Sequence, residues 1–217
     1  MAVTIGQASI DERGQITGGQ AGNQSGRELN TRPWYANGWT LVLRPKSRTV
    51  ALKMVAACTA GVKNKHIGYD QSQRNTLRAF AKIARWNLGQ IAADCETDCS
   101  AFMAVCAEAA GVNMEPAYMA GNAPATFQMR QQWGKTGAFE PLTDWKYLNS
   151  PDYLIAGDVL VNESRHTCMA LTDGRFAEEE KEMVEKSKII VDGKEVAVER
   201  ILKERVPGVT RVVPAMM

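Results

Sequence analysis

One helix signal constrains this chain more than any other feature of its sequence. Asp98 is a favourable N-cap residue, and Gly111 is a typical stop. The residues between them that recur at helical spacing are apolar or carry sulfur: Cys99, Phe102, Met103, Cys106 and Ala110. We therefore predict a helix over residues 98–111, with a cysteine in its first turn.

Cys99 lies in the first turn of this helix, where its thiol is a candidate nucleophile. The first backbone N–H groups of a helix lack intrahelical acceptors, and the helix dipole is positive at that end. Both effects favour a thiolate, which is the reactive form of cysteine. A nucleophilic thiol also needs a base. The chain has two histidines, and His166 is the candidate because His66 lies in a predicted loop.

The hydrophobic period changes from helical to alternating at Gly157. Residues 158–161 and 166–172 form two short apolar runs, which predict two short strands, and Asp173-Gly174 after them is a turn signal. Alternation places His166, Cys168 and Ala170 on one face of the second strand. The sequence thus pairs a helix-start cysteine with a strand histidine, and it predicts an α+β fold.

The remaining elements follow from local signals. Residues 6–33 are rich in Gly, Gln, Asn and Ser and predict a loop with at most short strands, either a flexible lead-in or a loop that lines a substrate groove. Residues 34–44, which hold three aromatic residues and then Thr40-Leu41-Val42-Leu43, predict a strand that enters the core. Helices are predicted over 47–60, 72–88 and 124–133. Residues 177–188 predict a charged helical linker, and 189–217 a small β appendage with a hairpin at Asp192-Gly193.

Composition and charge exclude several classes of protein. The 217 residues are 45% hydrophobic and carry a formal net charge of +2. This balance does not indicate a dedicated nucleic-acid binder. No run approaches the roughly 20 apolar residues that span a bilayer, and no signal peptide is visible. We expect a chain made in the cytoplasm without membrane insertion.

The five cysteines are an odd number, and in the cytoplasm we expect them to be largely reduced. A zinc site built from Cys95, Cys99, Cys106 and His166 is disfavoured. No C-x-x-C pair exists, and Cys106 lies about 10 Å along the helix from Cys99 at 1.5 Å per residue. A redox pair of Cys95 and Cys99 lacks the two-residue gap of thioredoxin-like motifs. One reactive thiol remains the preferred interpretation.

Three segments carry a resemblance to a known family: TDCSAF at the helix start, AGDVLV, and RHTCMAL. In this order they resemble the NlpC-type papain-like peptidoglycan peptidases and the related CHAP amidases. The segments AGNQSGRELNTRPWY, GYDQSQRNTL and CETDCSAFMAVC are similar to Gram-positive phage and prophage lysins. The likeness covers about residues 5–175. It implies a papain-like domain of helices packed on a small antiparallel sheet over residues 1–176, followed by the linker and the β appendage.

The resemblance also implies roles for particular residues. Cys99 matches the nucleophile and His166 the general base. Tyr69 is the candidate for a tyrosine that borders such sites, and Asp98 and Ser100, which flank the cysteine, are expected at the substrate. Glu178 falls near the place of the residue that orients the histidine, although it also begins the charged linker.

One position departs from the family pattern. Arg165 stands where a small residue commonly precedes the histidine, and it alters the charge of the groove.

The implied function is hydrolysis of an amide bond of the peptidoglycan stem peptide, as an endopeptidase or an N-acetylmuramoyl-L-alanine amidase. The resemblance implies no metal or organic cofactor. Access to the cell wall would follow release from the cytoplasm, through a membrane pore or on a virion. Two alternatives stay open: a non-catalytic phage structural or wall-binding protein of the same fold, and acyl transfer to an amine. The sequence leaves the oligomeric state undetermined.

Overall fold

The computed structural model describes residues 2–177, 188–191 and 194–197. Contacts divide the chain into two compact units, Met1–Arg175 and Phe176–Met217. In the described part of the second unit, Lys188–Val191 pairs antiparallel with Lys194–Ala197. Within the described ranges, no helix is both long enough and apolar enough to cross a membrane.

The first unit is built around an antiparallel sheet of six short strands. They are β1 (Thr4–Ala8), β2 (Leu29–Pro33), β3 (Leu41–Pro45), β6 (Phe139–Leu142), β7 (Val159–Asn162) and β8 (His166–Ala170). Their order across the sheet is β2-β1-β8-β7-β3-β6. The two strands predicted after Gly157 are observed as β7 and β8, and they pair with each other, with Asn162 opposite His166. Because β1 pairs with β8, the beginning of the chain lies beside the histidine strand, and the interpretation of residues 6–33 as a flexible lead-in is wrong.

A second, parallel pair of strands precedes the central helix. Its members are β4 (Ile67–Tyr69) and β5 (Cys95–Thr97), and Tyr69 lies opposite Thr97. The Gly-rich loop after β1 packs on this pair, since Asn23 N–H donates to the Lys65 carbonyl at 2.9 Å. Because Thr97 is two residues before Cys99 in the chain, this pairing places Tyr69 next to the start of the central helix.

Five α-helices complete the first unit: α1 (Arg48–Lys63), α2 (Thr76–Ile83), α3 (Cys99–Ala109), α4 (Thr126–Gly134) and α5 (Trp145–Asn149). The predicted caps are confirmed at two of them. The Ser47 side chain accepts from Val50 N–H, and Asp98 accepts from Ala101 N–H. A polar side chain at each start satisfies an N–H group that the helix itself leaves free.

Three predicted helices differ from the observed ones in length. The helix predicted over 47–60 continues through Gly61 and ends at Lys63. Residues 72–88 were expected to be helical, but α2 ends at Ile83, because Arg85 and Trp86 take positive φ values of 51° and 63°. The helix expected from residue 124 begins at Thr126. The segment before it closes a turn instead, with Met119 N–H donating to the Asn122 carbonyl at 2.9 Å.

The helix α3 is the centre of the core. Phe102, Met103 and Cys106 are fully buried in it. Gly61 of α1 packs so closely that a Cβ there would lie 2.7 Å from the Phe102 ring. Small residues at this crossing let α1 and α3 approach each other, and α3 holds its first turn against the sheet.

The Gly157-Asp158 motif has a structural role in this fold. Gly157 has φ 103°, and a Cβ there would lie 2.6 Å from that of Ala51. The buried Asp158 carboxylate forms two hydrogen bonds with Arg44, of 2.8 Å to Nε and 2.7 Å to Nη2. Paired in this way, Arg44 and Asp158 tie β3 to the residue that precedes β7.

Candidate active site

Cys99 is the first residue of α3, and its side chain lies against the histidine strand. Only 5% of the residue is exposed. The backbone N–H groups of Ser100 and of Thr167, the residue after His166, both act on the sulfur and favour its thiolate form. The fold therefore brings the helix start and the beginning of β8 together.

The first turn of α3 is held by one arginine. Arg74 lies with Nε 2.6 Å from the Asp98 carboxylate and donates from Nη2 to the Ser100 hydroxyl at 2.6 Å. It also donates from Nη1 to the Ala123 carbonyl at 2.8 Å. Asp98 and Ser100 are buried, and their polar atoms are engaged in this clamp. Their predicted contact with substrate stays a prediction.

Tyr69 lies beside the same helix start, although it precedes Cys99 by 30 residues in the sequence. Its hydroxyl accepts a hydrogen bond from Gln71 Nε2 at 3.1 Å. Burial raises the pKa of Tyr69 well above its usual value, and a charge on the Cys99 sulfur raises it further. The phenol is therefore a neutral hydrogen-bonding group next to the thiol.

His166 is held by a residue that the sequence did not point to. Its Nε2 lies 2.9 Å from Oε1 of Gln7 in β1. Gln7 in turn donates from Nε2 to Asn30 Oδ1 at 3.2 Å, so its oxygen faces the imidazole. This network assigns the proton to Nε2 of the ring. Within the described residues Nδ1 makes no hydrogen bond, and its lone pair is left to accept a proton.

Aromatic side chains cover the imidazole on the same face of the sheet. The Trp39 ring centroid lies 6.4 Å from that of His166, and Tyr35 packs edge-on against Trp39 at 5.8 Å. The Tyr35 hydroxyl donates to Gln7 Oε1 at 3.4 Å. These side chains exclude water from the histidine while leaving its amide partner in place.

The electrostatics of the pair differ from the expectation of a lowered thiol pKa. Burial raises the pKa of Cys99 to about 12, and the Asp98 carboxylate contributes in the same direction. The N–H groups at the helix start lower it, but burial outweighs them. Burial also lowers the pKa of His166 to about 4. The resting state at neutral pH is thus a neutral thiol beside a neutral imidazole.

The family model of the endolysin-like domain matches residues 5–177. The chain belongs to the endolysin-like domain family. Membership suggests a phage protein with a cell-wall lytic function. No curated protein and no solved structure matches the chain.

The matched endolysin-like region contains every residue of the candidate site described above, from Gln7 to His166. Of the residues predicted from the sequence, it brings together Cys99, His166, Tyr69, Asp98 and Ser100. Glu178, the predicted orienting residue, lies outside the described residues. The side chain that contacts the His166 ring is that of Gln7. It was missed because its strand is 159 residues from the histidine.

The other four cysteines of this endolysin-like protein are buried and form no disulfide. Cys95 directs its thiol at the His66 carbonyl at 3.6 Å. Cys106 lies beside Cys58 between α3 and α1, and burial raises its pKa well above the usual value. Among the described residues, no group of three His, Cys, Asp or Glu side chains is arranged to hold a metal ion.

Proposed function

We propose that this protein is a cysteine hydrolase with a papain-like active site that cleaves an amide bond of the peptidoglycan stem peptide. One observation carries the proposal. A cysteine at a helix start lies beside a strand histidine whose far ring nitrogen is held by the Gln7 side-chain amide. Nucleophile, base and orienting group are the three parts that thiol acyl transfer requires.

The first half of the reaction forms a thioester. His166 Nδ1 takes the proton of the Cys99 thiol as the sulfur attacks the amide carbon. The negative charge that develops on the carbonyl oxygen is placed near the backbone N–H group of Cys99, which lacks an intrahelical acceptor. The C–N bond then breaks, and His166 returns the proton to the leaving amine.

The second half releases the product. Water loses a proton to His166 and attacks the thioester carbon, and the proton returns to the Cys99 sulfur as the C–S bond breaks. The Asp98 charge raises the pKa of His166, which stabilises the imidazolium that forms in both halves. The same charge raises the pKa of Cys99. The proton is therefore transferred during attack and is not lost beforehand.

Cleavage of the stem peptide as an endopeptidase and cleavage of the N-acetylmuramoyl-L-alanine bond as an amidase use the same chemistry. Peptidoglycan is the proposed partner, without nucleic acid and without membrane insertion. The proposed route is synthesis in the host cytoplasm followed by release to the wall. Mass spectrometry of digested peptidoglycan would identify the bond by the new termini that it carries.

The test uses purified Gram-positive cell walls. Cys99→Ala and His166→Ala should each abolish clearing while the fold is retained. Cys106→Ala is the matched control, since it removes a second thiol from the same helix without touching the site. Full clearing activity in Cys99→Ala protein would refute the proposal.

The rival function is non-catalytic binding of the cell wall by the same fold. The neutral state of Cys99 and His166 favours this rival function, because the resting protein then contains no thiolate at the site. Under this reading the protein co-sediments with cell walls but releases no peptide or amine from them. Wild-type protein that binds walls and leaves the mass spectrum of their peptides unchanged would establish the rival.

A further inference from the structure

Two arginines at the candidate site carry charges that no acid neutralises. Most arginines of the first unit pair with a carboxylate: Arg13, Arg44, Arg48, Arg74, Arg78 and Arg130. Arg32 and Arg165 are exposed, and neither makes an ion pair with any residue in the described ranges. Free guanidinium groups beside a reaction centre are candidates for binding an anionic substrate.

Arg32 reaches the site from the edge of the sheet. It lies in β2 opposite Ile5, and Asn30 of the same strand lies opposite Gln7. These register positions place Arg32 on the face that carries Gln7. Its guanidinium lies 4.3 Å from the centroid of the Tyr35 ring, whose hydroxyl reaches Gln7. Stacking on the Tyr35 ring fixes the position of the Arg32 guanidinium.

Arg165 is the neighbour of His166 in the chain. It directly precedes His166 in the turn between β7 and β8. It lines an open cavity of about 630 Å³ together with Ala36, Asn37 and Gly38. The Asn162 side chain donates to the Asn37 carbonyl at 2.7 Å and joins the segment 36–38 to the end of β7. The segment 35–38 therefore runs from the ring under Arg32 to the cavity of Arg165.

We propose that Arg32 and Arg165 bind a free carboxylate of the substrate next to the amide that is cleaved. This inference rests on the proposed function and names its substrate class, an acidic stem peptide in place of its amidated form. A guanidinium presents paired N–H donors that match the two oxygens of a carboxylate. A carboxamide offers one acceptor oxygen and no charge, so it makes a weaker contact.

The charges around His166 give this binding a second consequence. Asp98 acts on the imidazole from the start of α3 and raises its pKa, whereas Arg32 acts from β2 and lowers it. Cys99 and Tyr35 also face the site, and both are neutral at rest because burial raises their pKa values. A substrate carboxylate on Arg32 offsets the opposing charge, so the bound histidine becomes a stronger base.

The experiment uses two soluble stem-peptide fragments that differ in one group, a free carboxylate or a carboxamide on the acidic residue. The wild-type protein should cleave the carboxylate form with a kcat/KM at least about tenfold higher, the usual size of a charge-assisted contact. Arg32→Gln and Arg165→Gln should each reduce this preference, chiefly through KM. The double variant should cleave both peptides alike.

Lys53→Gln is the matched control, because Lys53 is an exposed cation of α1 that makes no contact with the site. It should keep the full preference. Arg32→Lys should retain part of it, since the charge remains and the paired donors are lost.

Binding of both peptides to Cys99→Ala protein, measured by calorimetry, separates the two hypotheses. Tighter binding of the carboxylate form that depends on Arg32 and Arg165 supports the inference even if the wild-type protein cleaves neither peptide, an outcome that would refute the proposed hydrolysis. Equal affinity for the two peptides, or a preference that survives in the double variant, overturns the inference and leaves the hydrolysis intact.

Discussion

His166 Nε2 and Gln7 Oε1 lie 2.9 Å apart although 159 residues separate them in the chain. The contact exists because β1 pairs with β8, which places the first strand of the sheet next to the strand that begins with the histidine. Gln7 is 2% exposed, and its amide nitrogen is committed to Asn30, so its oxygen is the group left to face the ring. The amide therefore orients the imidazole and selects its tautomer.

The first prediction concerns this contact. Gln7→Leu should lower kcat about 10- to 100-fold with little change in KM, because the ring loses its orientation and not its substrate. Gln7→Asn should recover only part of the rate, since the shorter side chain does not span the distance. Tyr35→Phe is the control, because it removes only the 3.4 Å contact to the same oxygen. Unchanged kcat in Gln7→Leu protein would remove the orienting role.

The pH profile expected from the proposed mechanism follows from the two pKa values. His166 must be neutral to accept the thiol proton, and burial lowers its pKa to about 4. The kcat/KM should therefore rise as pH increases through about 4 and then stay level across neutral pH. The thiol does not ionise before about pH 12, so it adds no limb near neutrality. An acidic limb centred between pH 6 and 7 would contradict this assignment.

Alkylation tests the neutral thiol directly. The position of Cys99 at a helix start predicts that iodoacetamide modifies it ahead of the other four cysteines near neutral pH. With a pKa of about 12, this labelling should be at least about a hundredfold slower than that of free cysteine at pH 7, and it should speed up as pH rises. Cys99 should still react before Cys58, Cys106 and Cys168, which are fully buried. Mass spectrometry of the labelled protein at several pH values would measure both effects.

The local signals of the sequence predicted the parts of this fold that neighbouring residues determine. The caps at Ser47 and Asp98 and the alternation in β8 depend on contacts within a few residues, and they are observed as predicted. The pairing of β1 with β8 depends on the whole fold, so Gln7 was not recognised. The pKa of Cys99 could not be predicted for the same reason. The sequence shows the helix start, which lowers this pKa, but it does not show the burial of the thiol, which raises the pKa by more.

Stability should depend strongly on the buried pair of Arg44 and Asp158. Asp158→Asn replaces the carboxylate that faces Nε and Nη2 of Arg44 with a neutral amide, which should cost about 3–5 kcal/mol of unfolding free energy. Both side chains are at most 6% exposed. The exposed pair of Arg130 and Glu163 is the control, and Glu163→Gln should cost less than about 1 kcal/mol. Urea unfolding of both variants at pH 7 would measure the difference, and equal losses would contradict it.

The free energy of unfolding should decrease as pH rises because of the buried carboxyl group of Glu96. Its carboxyl is 1% exposed, and neither oxygen has a hydrogen-bond partner in the described structure. Burial and then the charges of Asp70 and Glu28 raise its pKa from 4.5 to about 8. The unfolded chain releases this proton near pH 4.5, whereas the folded state keeps it up to about pH 8. The free energy of unfolding therefore declines between these two pH values.

Glu96→Gln keeps the shape of the side chain and removes its titration. Below pH 4.5 the variant and the wild-type protein should be about equally stable, since both side chains are then neutral in the folded and the unfolded chain. By pH 8 the variant should be more stable by about 1–3 kcal/mol, because it no longer forces a charge into the buried site. Glu140→Gln is the control, because Glu140 is an exposed residue of β6. Its free energy of unfolding should vary with pH as that of the wild-type protein does. Urea unfolding at pH 4.5, 6 and 8 measures the difference, and parallel curves for Glu96→Gln and the wild type would show that Glu96 is charged in the folded protein.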